Sequence, residues 1–256
     1  MANIDKQLIQ TRFARSVATY HEAAKIQRDM AETLLGQLAL ATGGERRFDR
    51  ILEAGCGSGM LTDLVEARLE YRKLYLIDLV PEWERFHRGR RAAEFRAADI
   101  ETMPLPEHLS LVIANAVFQW VEDLASLLIR FHSALETGGI LAFTTFGPEN
   151  LREIAALTGR GLSYRALAGL HELLTPGFDI IACHEELITL EFATVRDILR
   201  HLKATGVTAS GGRSRWTRST LAAFEADYSA RFRSGNRMLP LTYHPITLIA
   251  RKRPEL

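Results

Sequence analysis

Cysteine is scarce in this chain: Cys56 and Cys183 are the only two among 256 residues. Neither falls at a spacing that could hold zinc or build a disulfide framework, which excludes the small disulfide-stapled folds and fits a reducing compartment. Long apolar runs are also missing, and residues 1–10 are polar and charged where a secretory signal would be apolar, so a soluble, cytoplasmic protein is expected. An excess of one charge is absent as well. Lys and Arg number 32 against 31 Asp and Glu, a net charge of +1, which argues against whole-molecule attraction to nucleic acid or to an anionic membrane. His132, His171, His184 and His201 show no metal-ligand spacing, and no metal is expected. Neither an internal repeat nor a low-complexity linker interrupts the chain.

What is present suits a buried core. Apolar residues make up 47% of the sequence, enough for a single α/β domain. Its expected parts are an N-terminal helical cap over residues 1–45, a cofactor-binding core over 46–150, and a C-terminal half over 151–256 with lid helices and the last two strands. Apolar residues recur at helical spacing from Asp5 to about Leu40, with a break at residues 20–22. Short apolar runs at 50–54, 73–79, 95–98, 109–114 and 140–145 read as strands. Helical stretches separate them, including 121–135, which the pair Gly138-Gly139 is expected to stop. Such alternation predicts a doubly wound, mostly parallel sheet of Rossmann-like type. Beyond Pro148 come two helical stretches, a long strand over 178–192, helices over 194–205 and 218–233, and a last strand ending at Ala250. Residues 206–215, rich in Gly, Ser and Arg, are expected to be a loop within a lid over the carboxyl ends of the strands.

The turn after the first strand reads Glu53-Ala54-Gly55-Cys56-Gly57-Ser58-Gly59, where side-chain-free backbone lets a ligand approach closely. A glycine-rich turn alone fits a structural β-to-α turn or a nicotinamide site equally well. The alternation Gly55, Gly57, Gly59 lacks the wider final gap of the dinucleotide fingerprint, and Glu53 adds an acid which that fingerprint does not require. An acid suits the cationic sulfonium and α-ammonium of S-adenosyl-L-methionine better than the anionic pyrophosphate of a dinucleotide. Asp78, at the end of the second strand, is placed for the ribose hydroxyls. Asp99 and Ile100 follow the third strand and suit the adenine amino group and ring face. Asn115 ends the fourth strand under the methionyl portion. Polar residues at successive strand ends mark the rim where open α/β sheets bind ligands.

These residues, 53–59, 78, 99–100 and 115, resemble the motifs of class I S-adenosylmethionine-dependent methyltransferases over about residues 48–146, and that resemblance implies an antiparallel last strand. Four further stretches resemble the malonyl-acyl-carrier-protein O-methyltransferases: residues 20–27, Asn115-Ala116-Val117-Phe118-Gln119-Trp120, Leu202-Lys203-Ala204-Thr205-Gly206, and Pro240-Leu241-Thr242-Tyr243-His244-Pro245. The implied reaction is transfer of a methyl group to the free carboxylate of a malonyl thioester, on acyl carrier protein or coenzyme A, in biotin synthesis. A carboxylate is already ionised at neutral pH, so alignment and exclusion of water are required and a general base is not.

The catalytic candidates follow from those stretches. Tyr20 is a candidate to donate to the carboxylate or cap the methyl group, though a helix-end aromatic also packs simply against a core. Lys203 is a candidate to offset the substrate's charge, or a solvated lysine on a helix face. Tyr243 and His244 are candidates to line the acceptor pocket, Gln119-Trp120 to form one wall, and Gln27 to reach the cofactor. Two basic clusters, Arg85, Arg88, Arg90, Arg91 and Arg213, Arg215, Arg218, are candidate landing sites for an acidic carrier protein. The helix after Asp78 departs from the commoner family pattern, with Val80-Pro81-Glu82-Trp83 and an arginine-rich 86–91. Two alternatives stay open: a methyltransferase for another small carboxylate or a quinone precursor, and a methyltransferase-like binding or assembly factor that transfers nothing.

Overall fold

The computed structural model describes residues 4–159, 161–206, 217–233, 235 and 237–254. Three helices come first: α1 (Lys6–Ser16), α2 (Tyr20–Ala23) and α3 (Lys25–Ala41). The Asp5 side chain accepts from the Leu8 amide and caps α1, satisfying one of the donors that a helix start leaves orphaned. The core then alternates β1 (Arg50–Ala54), α4 (Met60–Arg68), β2 (Lys73–Asp78), a 3-10 turn (Pro81–Phe86), β3 (Ala93–Ala97), β4 (Leu109–Ala114), α5 (Leu124–Ala134) and β5 (Leu135–Phe146). After α6 (Arg152–Thr158) and α7 (Leu167–Leu174) come β6 (Phe178–Glu185), β7 (Ile188–Phe192), α8 (Val195–Ala204), α9 (Arg218–Phe232), β8 (Leu239–Tyr243) and β9 (Pro245–Lys252).

Seven strands form one sheet in the order β3-β2-β1-β4-β5-β9-β6. β1, β2, β3, β4 and β5 pair in parallel, whereas β9 is antiparallel to both β5 and β6. Successive residues of a strand point to opposite faces, and the core divides accordingly. Leu52, Ile77, Val112 and Leu141 meet α5 and α7 through Leu127, Phe131 and Leu170. Ile51, Leu76, Ile113 and Ala142 meet α3 and α4 through Leu34, Leu38 and Val65. With both faces covered, these strands read as nearly continuous apolar runs, and each fully buried Leu or Ile contributes about 1.5–3 kcal/mol. The strand order reverses between β1 and β4, opening a crevice at the carboxyl ends of β1, β2 and β4.

Three sequence expectations are corrected. The stretch 178–192 is two strands, β6 and β7, with the Glu186 amide donating to the Pro245 carbonyl at the corner (3.2 Å). The last strand breaks at the same corner into β8 and β9, because Pro245 has no amide hydrogen to continue the ladder. β7 and β8 pair as a separate two-stranded ribbon. The pair Gly138-Gly139 does not stop α5 before β5 but lies inside β5, where the register jumps from Leu109↔Leu135 to Leu111↔Ile140. A Cβ on Gly139 would sit 2.9 Å from the Glu136 carbonyl oxygen, so the irregularity requires glycine. Among the described residues no helix is long and apolar enough to cross a membrane.

Candidate active site

The turn from β1 to α4 holds Gly55, Gly57 and Gly59 at positive φ. Close approach requires the first: a Cβ on Gly55 would fall 2.3 Å from Val117 Cγ2. Gly57 faces open space and donates its amide to Asp78 Oδ2 at 2.8 Å. Asp78 Oδ1 accepts from the Val80 amide at 2.9 Å, so the carboxylate clamps the loop to the end of β2. Each of its oxygens keeps a second lone pair. Burial pushes Asp78 up to about 6, against the backbone donors that favour its ion.

Over this rim lies a cavity lined by Gly55, Gly57, Asp78, Asp99, Ile100 and Asn115 together with Val80, Trp83 and Ala116. Helix α1 roofs it with Lys6, Ile9 and Phe13, and Tyr20 and Trp120 close one end. The helix is pinned through two of its residues. Lys6 Nζ lies 2.6 Å from Asp99 Oδ2 and 2.9 Å from Glu101 Oε1, and Gln10 donates to the Leu79 carbonyl at 3.0 Å. An aromatic chain runs from Phe13 to Tyr20 and on to Trp83, all edge to face. Trp83, from the segment that departs from the family pattern, is thus a buried wall of the cavity.

Glu53 and Gly59 stand behind the loop and do not line the cavity. Glu53 is 1% exposed, its Oε2 has no hydrogen-bond partner among the described residues, and burial pushes its carboxyl up to about 8. Gly59 packs under Arg90 Nη2, which would lie 2.6 Å from an added Cβ. Asn115 Nδ2 donates to the Gln27 carbonyl (2.8 Å) and its Oδ1 accepts from Thr144 Oγ1 (2.7 Å), tying α3 to the ends of β4 and β5.

A second chamber shares Phe13, Tyr20, Ala116 and Trp120 with the first. It is otherwise lined by Gln27, Gln119, Phe146, Asn150, Tyr164, Thr205 and Tyr243. None of its lining residues is lysine or arginine. Tyr243, 1% exposed, shares a hydrogen bond of 2.7 Å with His201 Nε2, and burial raises its phenol well above the ordinary range. Burial raises Tyr20 in the same sense and pushes Tyr164 up to about 12. All three phenols therefore stay protonated at neutral pH. Gln119 Nε2 donates to the Ala116 carbonyl (2.6 Å), which fixes the amide against the wall. Beyond Gln119, Phe146 and Tyr164 an open groove continues past Phe118, Leu162 and Arg165.

Two of the candidate residues lie elsewhere. Lys203 is exposed, because α8 buries Val195, Ile198 and Leu202 and the next residue points out. His244 is buried at the β8–β9 corner, away from both cavities. Its Nδ1 accepts from the Glu149 amide (3.1 Å), and its Nε2 meets Glu185 Oε1 at 2.8 Å, so the ring braces the turn at Gly147. Asn150 and Tyr164 line the chamber without having been read from the sequence. Both sit outside regular elements, where no periodicity marks an inward-facing residue. Lys6, the first residue of α1, was missed for a different reason: an isolated lysine carries no signal until its partners are placed.

The first arginine cluster does not face the rim. Arg90 pairs with Asp63 (2.6 Å) and with Glu66, and Arg85 lies over the Phe86 ring at 4.8 Å. Arg88 and Arg91 line a groove with Arg47 and Arg72, at the amino ends of β1, β2 and β3 and hence opposite the rim. In the second cluster, Arg213 and Arg215 lie outside the described residues. Among the described residues no group of three His, Cys, Asp or Glu side chains is arranged to hold a metal ion.

Comparison with known proteins agrees with this geometry. A family model described as a methyltransferase domain matches residues 52–143. The malonyl-[acyl-carrier protein] O-methyltransferase of Acinetobacter baylyi is 36% identical over 253 residues, 98% of each chain. That of Chlorobium phaeovibrioides is 38% identical over 256 residues, 97% of each. Among solved structures, an uncharacterised methyltransferase from Bacillus halodurans superposes with a TM-score of 0.62 at 16% identity, covering 86% of this chain and 99% of its own. The N-methyltransferase NodS of Bradyrhizobium japonicum, bound to S-adenosyl-L-homocysteine, gives 0.56 at 16% identity over 96% and 99%. At that identity the solved structures speak for the fold alone.

Proposed function

The chain belongs to the malonyl-[acyl-carrier protein] O-methyltransferase family, and we propose that it methylates the free carboxylate of a malonyl thioester, carried on acyl carrier protein or coenzyme A, using S-adenosyl-L-methionine. The observation that carries this reading is the shared wall of Tyr20, Phe13, Ala116 and Trp120 between a cavity rimmed by acids and a chamber lined by phenols and amides.

The first cavity fits the cofactor. Asp78 offers spare lone pairs for ribose hydroxyls, Asp99 and Ile100 an acceptor and an apolar face for adenine, and Gly57 an unobstructed backbone. The unpartnered Glu53 Oε2 stands behind the loop, where a cationic ligand favours its ionised form. When bound, the cofactor supplies a methyl group activated by its positively charged sulfur.

Every other task falls to the chain. The chamber receives the acceptor carboxylate and orders its oxygens with hydrogen-bond donors. α1 and the Phe13–Trp120 pair, 5.7 Å apart edge to face, keep water from the junction, so a weak nucleophile is held in line. No proton is removed, because the acceptor is already an anion. The groove past Arg165 suits the narrow thioester arm that must lead back to a carrier.

The test is substrate ranking: malonyl-carrier protein, malonyl-coenzyme A and a hydroxylated ring precursor offered to the cofactor-loaded enzyme. Methyl transfer to the malonyl thioesters and none to the ring is expected. Transfer to the ring alone would replace this reading with ring methylation, and transfer to neither would favour a binding factor.

A further inference from the structure

The acceptor chamber contains a hydrogen bond whose direction can be fixed. Asn150, 3% exposed, presents Oδ1 to the His244 amide at 3.3 Å. A backbone N–H only donates, so that atom of Asn150 is the oxygen and the other is the NH2 group. The NH2 group donates to the Tyr164 oxygen at 2.9 Å. Tyr164 therefore spends a lone pair on Asn150 and keeps its own proton, for which no acceptor exists among the described residues. Tyr20, on the wall shared with the cofactor cavity, likewise has no hydrogen-bond acceptor among the described residues. Tyr243 differs, since its hydroxyl is engaged with His201.

We propose that Tyr164, oriented by Asn150, binds the acceptor carboxylate: its hydroxyl donates to one carboxylate oxygen, alongside Tyr20, and so selects an anion over a neutral acceptor. This rests on the carboxyl-methylation reading and deepens it by naming the residue that recognises the charge. A donor held in place by a second buried group is pre-organised for an anion, and hydrogen bonds to an ionised acceptor are about twice as strong as neutral ones.

The reaction gives this role a particular kinetic signature. The carboxylate loses its negative charge as the ester forms, so a donor to it holds the ground state more tightly than the transition state. Removing that donor raises KM and leaves kcat unchanged or slightly higher. Damage to the chamber's shape would instead lower kcat, because the acceptor would lose its alignment.

Two variants test this. Tyr164→Phe deletes the donor. Asn150→Asp keeps the acceptor for the His244 amide but replaces the NH2 group with an oxygen, which captures the Tyr164 proton. For each, kcat and KM are measured with malonyl-coenzyme A and malonyl-carrier protein. Dissociation constants are measured in the presence of S-adenosylhomocysteine for malonyl-coenzyme A and its terminal carboxamide analogue. Both variants are expected to weaken the carboxylate ligand on the order of tenfold to a hundredfold, to change the carboxamide far less, and to keep kcat. Equal weakening of both ligands, or a loss confined to kcat, overturns the assignment. Unaltered variants beside an active wild type overturn the assignment alone. A wild type that neither binds nor methylates malonyl thioesters overturns the carboxyl-methylation reading as well.

Discussion

The Gly57 amide and the Asp78 carboxylate are joined by a 2.8 Å hydrogen bond, so one side chain both shapes the glycine loop and faces the cavity floor. With Val80 as its second backbone donor, Asp78 cannot be replaced by an amide without orphaning an N–H. Asp78→Asn is expected to weaken S-adenosylhomocysteine on the order of a hundredfold, as charged hydrogen bonds are lost both to the loop and to the ligand. Isothermal calorimetry checks it.

Glu53 links cofactor binding to pH. Its carboxyl titrates at about 8 in the fold against 4.5 in a free chain, so the native state holds an extra proton between those values. Stability from this group is therefore greatest below about pH 4.5 and falls as pH rises toward 8. A cationic ligand favours the ionised form, so S-adenosylmethionine, with its sulfonium, should release up to one proton at pH 7, seen as a buffer-dependent calorimetric enthalpy. Glu53→Gln should abolish that release, weaken binding, and raise Tm at pH 8 by about 2–4 °C for each kcal/mol recovered.

His201 should show the opposite trend. Burial holds its imidazole below the usual 6.5, so the native state binds fewer protons than the unfolded chain. Its contribution is intact above pH 6.5 and is lost as pH falls through that value. Comparing Tm of wild type and His201→Gln between pH 7.5 and 5.5 should show a smaller acid loss in the variant. Because Tyr243 loses its ring partner, the variant's KM for the acceptor should also rise several-fold.

Lys6 fastens the roof of the cofactor cavity through Asp99 and Glu101. The pair is partly exposed, which limits its worth to about 1 kcal/mol. Lys6→Met should therefore accelerate S-adenosylhomocysteine release about threefold to tenfold in stopped-flow displacement, with little change in Tm.

The cofactor side was legible in the sequence because its parts are local. The loop 55–59 is contiguous, and Asp78, Asp99 and Asn115 each end a strand whose apolar run is plain, so the topology rule brings them to one rim. The acceptor side is assembled from distant, irregular segments. Asn150 and Tyr164 precede and follow α6, and they are brought together where the His244 amide on the β8–β9 corner donates to Asn150. The Phe178–Phe192 stretch looks continuous because β6 and β7 share apolar alternation, while the break is imposed by Pro245 across the ladder. The exposure of Lys203 was readable in principle, since Val195, Ile198 and Leu202 already define the inner face of α8.

The most direct measurement is a single turnover with methyl-labelled S-adenosylmethionine and malonyl-carrier protein, followed by mild base. Label that enters the carrier fraction and returns as methanol identifies a carboxyl methyl ester and is the result expected. Label that stays on the cofactor, or survives base on another atom, would contradict carboxyl methylation.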